Sequence, residues 1–188
     1  MKKKIVVFTT YGTETVVLDG KKSFVKGLKN KTTTRKDFVE NAIAGCKRIR
    51  RYSGATNETV AAHTGILLGL SQMIYPQFAH ENSFKKLLIS HDFHEALIGD
   101  LISPIKDLID KDFSLIEDAL WFSIASDVYG ITKEDFDIFL PIITTLDKAI
   151  RQIEISLLIN PEVSYSLTEV EFQFEIVALN LLTNKNKK

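Results

Sequence analysis

Leu88-Ile89-Ser90-His91-Asp92-Phe93-His94-Glu95-Ala96-Leu97-Ile98-Gly99-Asp100-Leu101-Ile102-Ser103-Pro104 decides how this chain folds. A mostly apolar run carries a His-Asp pair at its centre and a glutamate just beyond it. On a helix, His91 shares a face with His94 and Glu95, and Asp92 lies roughly 100° further round. Gly99 suits a left-handed C-cap, and Pro104 forbids prompt continuation, so Asp100 is expected to emerge into a loop. Groups able to bind a metal or move a proton thus crowd two turns of one central helix, expected from about Glu81 to Gly99. Burying them without a partner is costly, and a cation is the simplest partner.

On either side of this stretch the pattern stays helical. Thr34 and Asp37 form a capping-box start for a helix with Phe38, Ile43, Cys46 and Ile49 at helical spacing. It ends in the basic run Lys47-Arg48-Ile49-Arg50-Arg51-Tyr52, where positive charge favours the helix dipole. Asn57 is expected to cap the next helix, to about Met73 or Tyr75, with Val60, Ile66, Leu67 and Leu70 inward and His63 among them. Beyond the central stretch, Ser103 to Ile109 reads as a short helical piece and Phe113 to Val128 as an amphipathic helix, stopped at Gly130. Trp121 and Phe122 read as core or interface aromatics. Thr132 and Asp135 cap a long helix, interrupted or kinked at Pro141. That helix runs through Leu146, Ile150, Ile153 and Leu157 to Asn160-Pro161. Asp147 falls on its apolar face, an anomalous place for a carboxylate without a partner. A last helix from about Leu167 to Leu182 precedes a polar tail. Before residue 34, Ile5–Thr9 and Thr15–Leu18 read as a small hairpin, followed by a turn at Asp19–Lys22 and a basic connector from Lys26 to Lys31. The expected fold is mostly α, a helical bundle with a small β-hairpin at its start. A single domain spans 1–188: hairpin and connector over 1–33, helical core over 34–160, and C-terminal helix and tail over 161–188.

Of the 188 residues, 45% are hydrophobic and 26% charged, with a formal net charge of +0. Such a chain is long enough for one sizeable core. Its balanced charge gives no bulk attraction to a nucleic acid polymer or an anionic membrane. The single cysteine, Cys46, excludes an internal disulfide and is compatible with a reducing compartment. No apolar run approaches the roughly 18 residues needed to span a bilayer, and Ile5–Phe8 is too short for a signal-peptide core. A soluble, cytoplasmic protein is the expectation.

His63, His91, Asp92 and Asp147 are unusual polar residues on otherwise apolar helices. Two imidazoles and two carboxylates from three helices suit one divalent metal with open positions for water. A second ion is not suggested, since no histidine follows His94. His94 is expected to be an exposed neighbour or a partner behind the ligands, and His80 a surface residue.

The order His63, His91-Asp92, Asp147 resembles that of the HD-domain metal-dependent phosphohydrolases. The stretch from His91 to Lys106 is similar to the bacterial 5'-deoxynucleotidase pattern HD-x-x-E-x-x-x-GD-L-x-x-P-x-K. Arg51-Tyr52 and Asn57-Glu58-Thr59-Val60-Ala61-Ala62-His63 resemble the Arg-aromatic pair and the (E/T)-x-V-x-E-H-S stretch of those enzymes. Phage relatives share an early Tyr/Gly region, here Tyr11-Gly12, and Asp147-Lys148-Ala149-Ile150 matches the late helix. The likeness spans about residues 36–158. Three positions depart from it. Tyr52 replaces a tryptophan, Ala62 often a glutamate, and Ala55 a histidine of the phage relatives.

The resemblance implies that His63, His91, Asp92 and Asp147 hold one divalent ion (Co, Mn, Mg, Zn or Fe). It makes Glu95 the group that orients or deprotonates water, and puts Asp100 near the leaving 5' oxygen. Arg51 would hold phosphate, Tyr52 would pack on the sugar, and Lys106 would contact substrate. The implied activity is release of phosphate from (deoxy)nucleoside 5'-monophosphates by a homodimer. The alternatives are a dNTP triphosphohydrolase, with Lys47, Arg48, Arg50 and Arg51 supplying extra charge, or a catalytically silent nucleotide-binding protein. A cyclic-nucleotide phosphodiesterase fits less well, for want of further histidines.

Overall fold

In a computed structural model, the described residues are 2–9, 12–19, 22–26, 34–54, 57–99, 112–159 and 167–183, with side-chain surroundings described only from residue 34 onward. Most of these residues are helical. Three strands, β1 (Lys2–Thr9), β2 (Gly12–Asp19) and β3 (Lys22–Lys26), pair antiparallel in the order β1-β2-β3, with Ile5 opposite Val16 and Val16 opposite Val25. The third strand covers Ser23–Val25, which the sequence reading left unassigned. Tyr11, the Gly20-Lys21 part of the turn, the connector after Lys26, Ala55, the Ser103–Ile109 piece and the Asn160-Pro161 end all lie outside the described residues, as does the polar tail.

Helix α1 (Arg35–Arg48) begins with the expected capping box. Thr34 Oγ1 accepts from the Asp37 amide at 3.1 Å, and Asp37 Oδ2 accepts from the Thr34 amide at 3.2 Å. Helix α2 (Val60–Ile74) is capped by Thr59 rather than Asn57, the Ala62 amide donating to Thr59 Oγ1 at 3.1 Å. The cap moves because the chain between the helices is tied backbone to backbone. Val60 N–H donates to Ile49 O at 3.1 Å and Arg51 N–H to Glu58 O at 3.0 Å, which leaves Asn57 outside the helix. This clasp fixes Arg51 and Tyr52 beside the first turns of α2.

Helix α3 (Asn82–Ser90) stops short of the expected continuous helix. His91–His94 form a turn, and α4 (Glu95–Ile98) follows. Phe93 N–H donates to Ser90 O at 3.2 Å and Glu95 N–H to Asp92 O at 2.9 Å, the tighter i to i+3 pattern. Gly99 has φ +86°, the positive value that its glycine identity predicts. Helices α5 (Asp112–Tyr129), α6 (Lys133–Ile159) and α7 (Leu167–Thr183) complete the bundle, with Pro141 inside α6 and no interruption of it.

The core runs through all these helices. Phe84, Phe93, Phe174, Leu67, Leu87, Leu88, Ile124, Ile143 and Ile150 are fully buried. Trp121, which the sequence left as core or interface, is core: its Nε1–H donates to Leu87 O at 3.1 Å, pinning α5 to α3. Two glycines set helix spacing. A Cβ on Gly45 would stand 2.6 Å from Ala96 Cβ, so α1 and α4 touch there; a Cβ on Gly65 would meet Val170 O at 2.5 Å, so α2 and α7 do likewise. No helix of the described residues is long and apolar enough to cross a membrane.

Candidate metal centre

Helix α2 contributes His63, the turn after α3 contributes His91 and Asp92, and α6 contributes Asp147. The four side chains meet. His63 Nε2 lies 3.0 Å from Asp147 Oδ1 and 3.8 Å from Asp92 Oδ2, and His91 Nε2 lies 3.0 Å from the same Asp92 oxygen. One ligating atom each from His63, His91 and Asp147 falls within a 4.8 Å span. All four are buried except Asp147, which is partly open.

Each imidazole is held by its other nitrogen. His63 Nδ1 meets Glu154 Oε1 at 2.5 Å, and His91 Nδ1 meets the Leu88 carbonyl at 2.8 Å. Nδ1 therefore carries the proton in the neutral rings, and Nε2 keeps its lone pair toward the common centre. Among the described residues, His63 Nε2, His91 Nε2 and Asp92 Oδ2 are buried and make no hydrogen bond. Three such atoms lie close enough together for a single cation to be their common partner. The donor set, two nitrogens and two carboxylates, fits a divalent metal of the Mn, Fe, Co or Zn type.

Glu154 is the residue that sequence reasoning missed. It is 2% exposed, and its Oε2 accepts from Tyr52 Oη at 2.8 Å and from Arg51 Nη2 at 3.3 Å. The buried stripe of α6 runs Ile143, Leu146, Ile150, Glu154, whereas Ile153, expected inward, is 48% exposed. A glutamate continuing an apolar stripe, two turns after Asp147, was the available signal. The register slipped by one because three polar partners compensate the buried carboxylate.

Charge within the cluster is strongly biased. Burial and Arg51 both work against a charged His63, but the flanking Asp147 and Glu154 outweigh them and raise its pKa to about 9. Burial works against ionised Asp147 and Glu154 too, yet His63 holds both at about 2, with Arg51 and Tyr52 helping at Glu154. Asp92 is likewise buried, and His91, His63 and Arg51 keep it well below the usual carboxylate range. Three carboxylates thus stay ionised around the centre.

Arg51 is 7% exposed, with Nη1 3.9 Å from Asp92 Oδ2 and its guanidinium over the Tyr52 ring at 5.5 Å. Tyr52 has φ +54°, a left-handed conformation uncommon for a bulky residue and typical of functional positions. Glu95 is buried beside Asp92. His94 is buried as well, which corrects the expectation of an exposed neighbour; the tight turn after Ser90 points it inward, with Nε2 3.5 Å from Glu117 Oε1. His80 is exposed, as expected. Asp100 and Lys106 lie outside the described residues. No family model matches the chain, and no curated protein matches it either.

Proposed function

We propose that this chain is a metal-dependent phosphohydrolase on an HD-type helical bundle, releasing phosphate from (deoxy)nucleoside 5'-monophosphates. One observation carries the reading: two buried imidazoles, each fixed through Nδ1, turn unpaired Nε2 atoms onto the carboxylates of Asp92 and Asp147. When bound there, a divalent ion acidifies a water molecule and neutralises phosphoryl oxygens.

The remaining roles belong to side chains. Arg51, anchored by Glu154 and 3.9 Å from Asp92 Oδ2, is the guanidinium assigned to a phosphate oxygen. Glu95, buried beside Asp92, is the group to which the resemblance gives the proton of the attacking water. Tyr52 offers a half-buried ring at the edge of the site for the sugar. Asp100 near the leaving oxygen, Lys106 on the substrate, and assembly as a homodimer are carried by the resemblance alone.

The triphosphate alternative draws on the basic run, and much of that run is already committed. Lys47 pairs with Glu175, and Arg50 donates to the Asn57 carbonyl. That commitment favours one phosphate over three. Incubating the Mn- or Co-loaded protein with dNMPs, NMPs and dNTPs tests this. Orthophosphate from monophosphates is expected; tripolyphosphate from dNTPs would establish the alternative, and no release from any would sink the hydrolase reading.

A further inference from the structure

His94 is a third buried imidazole, and the centre described above does not use it. It is 6% exposed, and among the described residues neither ring nitrogen makes a hydrogen bond. Among the described residues its ion-pair partner is Glu117 Oε1, 3.5 Å from Nε2, long for a hydrogen bond. An imidazole enclosed in this way is either paired or costly. The side chains around it include three carboxylates: ligating atoms of Asp92, His94 and Glu95 lie within 4.8 Å of one another, and Glu117 Oε1 is 3.5 Å from Nε2. A divalent ion, whose nitrogen and oxygen ligands sit about 2.0–2.6 Å away, closes such a gap with little movement.

We infer that Asp92, His94 and Glu95, backed by Glu117, form a second divalent-cation site that shares Asp92 with the first. The sharing follows from geometry. Asp92 belongs to this group, and its Oδ2 also stands 3.0 Å from His91 Nε2 and 3.8 Å from His63 Nε2. A carboxylate has two oxygens and about four lone-pair sites, enough to bridge two ions. One imidazole with two or three carboxylates is a harder donor set than the two-histidine centre, and it favours Mn or Mg over Zn. Glu95 ligating through one oxygen keeps the other for a proton, so its part in water activation is retained. The catalytic consequence rests on the hydrolase reading: with Asp92 shared between them, two ions would supply more neutralising charge for a phosphoryl group than one. The binding itself does not rest on it.

The gap also explains why the sequence argued for one ion. A site built from neighbours in a single turn needs no histidine further along the chain; it needs the helix to break after Ser90 so that Asp92, His94 and Glu95 face one another. That break is visible only in the fold.

Metal-free protein titrated with MnCl2 by calorimetry, with bound Mn counted after desalting, tests the inference. Two Mn per chain are expected, the second binding at least tenfold more weakly, with an exchange-coupled Mn–Mn electron spin resonance signal. His94→Asn should leave one Mn and an uncoupled signal. Glu117→Gln, less intrusive in the core, should weaken only the second binding event. One Mn in the wild type, or two coupled Mn in a folded His94→Asn variant, would overturn the second site while leaving the first intact. No Mn at all would overturn both this site and the proposed function.

Discussion

His63 and His94 are both buried imidazoles among carboxylates, yet they are held in opposite ways. His63 is gripped from behind by Glu154, so its tautomer and ring angle are fixed before anything binds. Among the described residues His94 has no such grip, and Glu117 stands at longer range. The difference teaches that burial alone does not make a strong ligand. A hydrogen bond on the far nitrogen does, because the cost of orienting the ring has already been met in folding.

Breaking the gripped side should have the largest effect. Asp92→Asn, which removes the carboxylate common to both groups, is expected to abolish metal retention through a desalting column, and His63→Ala to lose the ion of the first centre. Both should lose all phosphate release, and a His63→Ala variant that keeps the wild-type metal count would dissolve the first centre. Glu154→Gln comes next, since it leaves every ligand in place and removes the charge behind His63. Metal affinity should fall by about 10–100-fold, read by competition with a chelating dye. An unchanged affinity would mean that the grip on His63 is incidental.

Acidity sharpens the same contrast. His63 sits near 9 in the metal-free protein, above its ordinary value of about 6.5. Its imidazolium therefore stabilises the metal-free fold fully below about pH 6.5, and that contribution is lost as pH rises through about 9. A cation must displace this proton, so apparent affinity is expected to climb with pH over that window. Titrations at about pH 6.5, 7.5 and 8.5, with proton release followed in a weak buffer, check it; a flat affinity contradicts the charged resting state.

The smallest effect is a packing one. Gly45→Ala places a methyl group 2.6 Å from Ala96 Cβ, next to Glu95 on α4. Overpacking of this kind costs about 1–3 kcal/mol, read as a lowered denaturant midpoint. Full stability would mean that α4 slides freely, and the position of Glu95 would then not depend on α1.

Much of this was legible before any coordinates. Helix α1 with its Thr34-Asp37 box, the end of α5 at Gly130 and the span of α6 follow from capping residues and spacing, which act locally. The meeting of His63, His91, Asp92 and Asp147 was legible because each is a polar intruder on an apolar helix face. What escaped depended on distant partners. Thr59 displaced Asn57 as cap through backbone bonds to Ile49 and Arg51. Glu154 went unnoticed because Arg51, Tyr52 and His63, the partners that compensate its burial, lie far from it in the sequence. The inward turn of His94 needed the helix to stop at Ser90, and no breaking residue marks that point in the sequence.

Glu154 touches a proposed metal ligand with one oxygen and a proposed phosphate anchor with the other. A single lever with a load on each arm cannot move on one side only. Whatever pull a bound ion exerts on His63 is felt at Arg51, and an anion drawing on Arg51 is felt at the ion. Thermodynamic reciprocity then demands that phosphate tighten or loosen the ion by the same factor that the ion tightens or loosens phosphate.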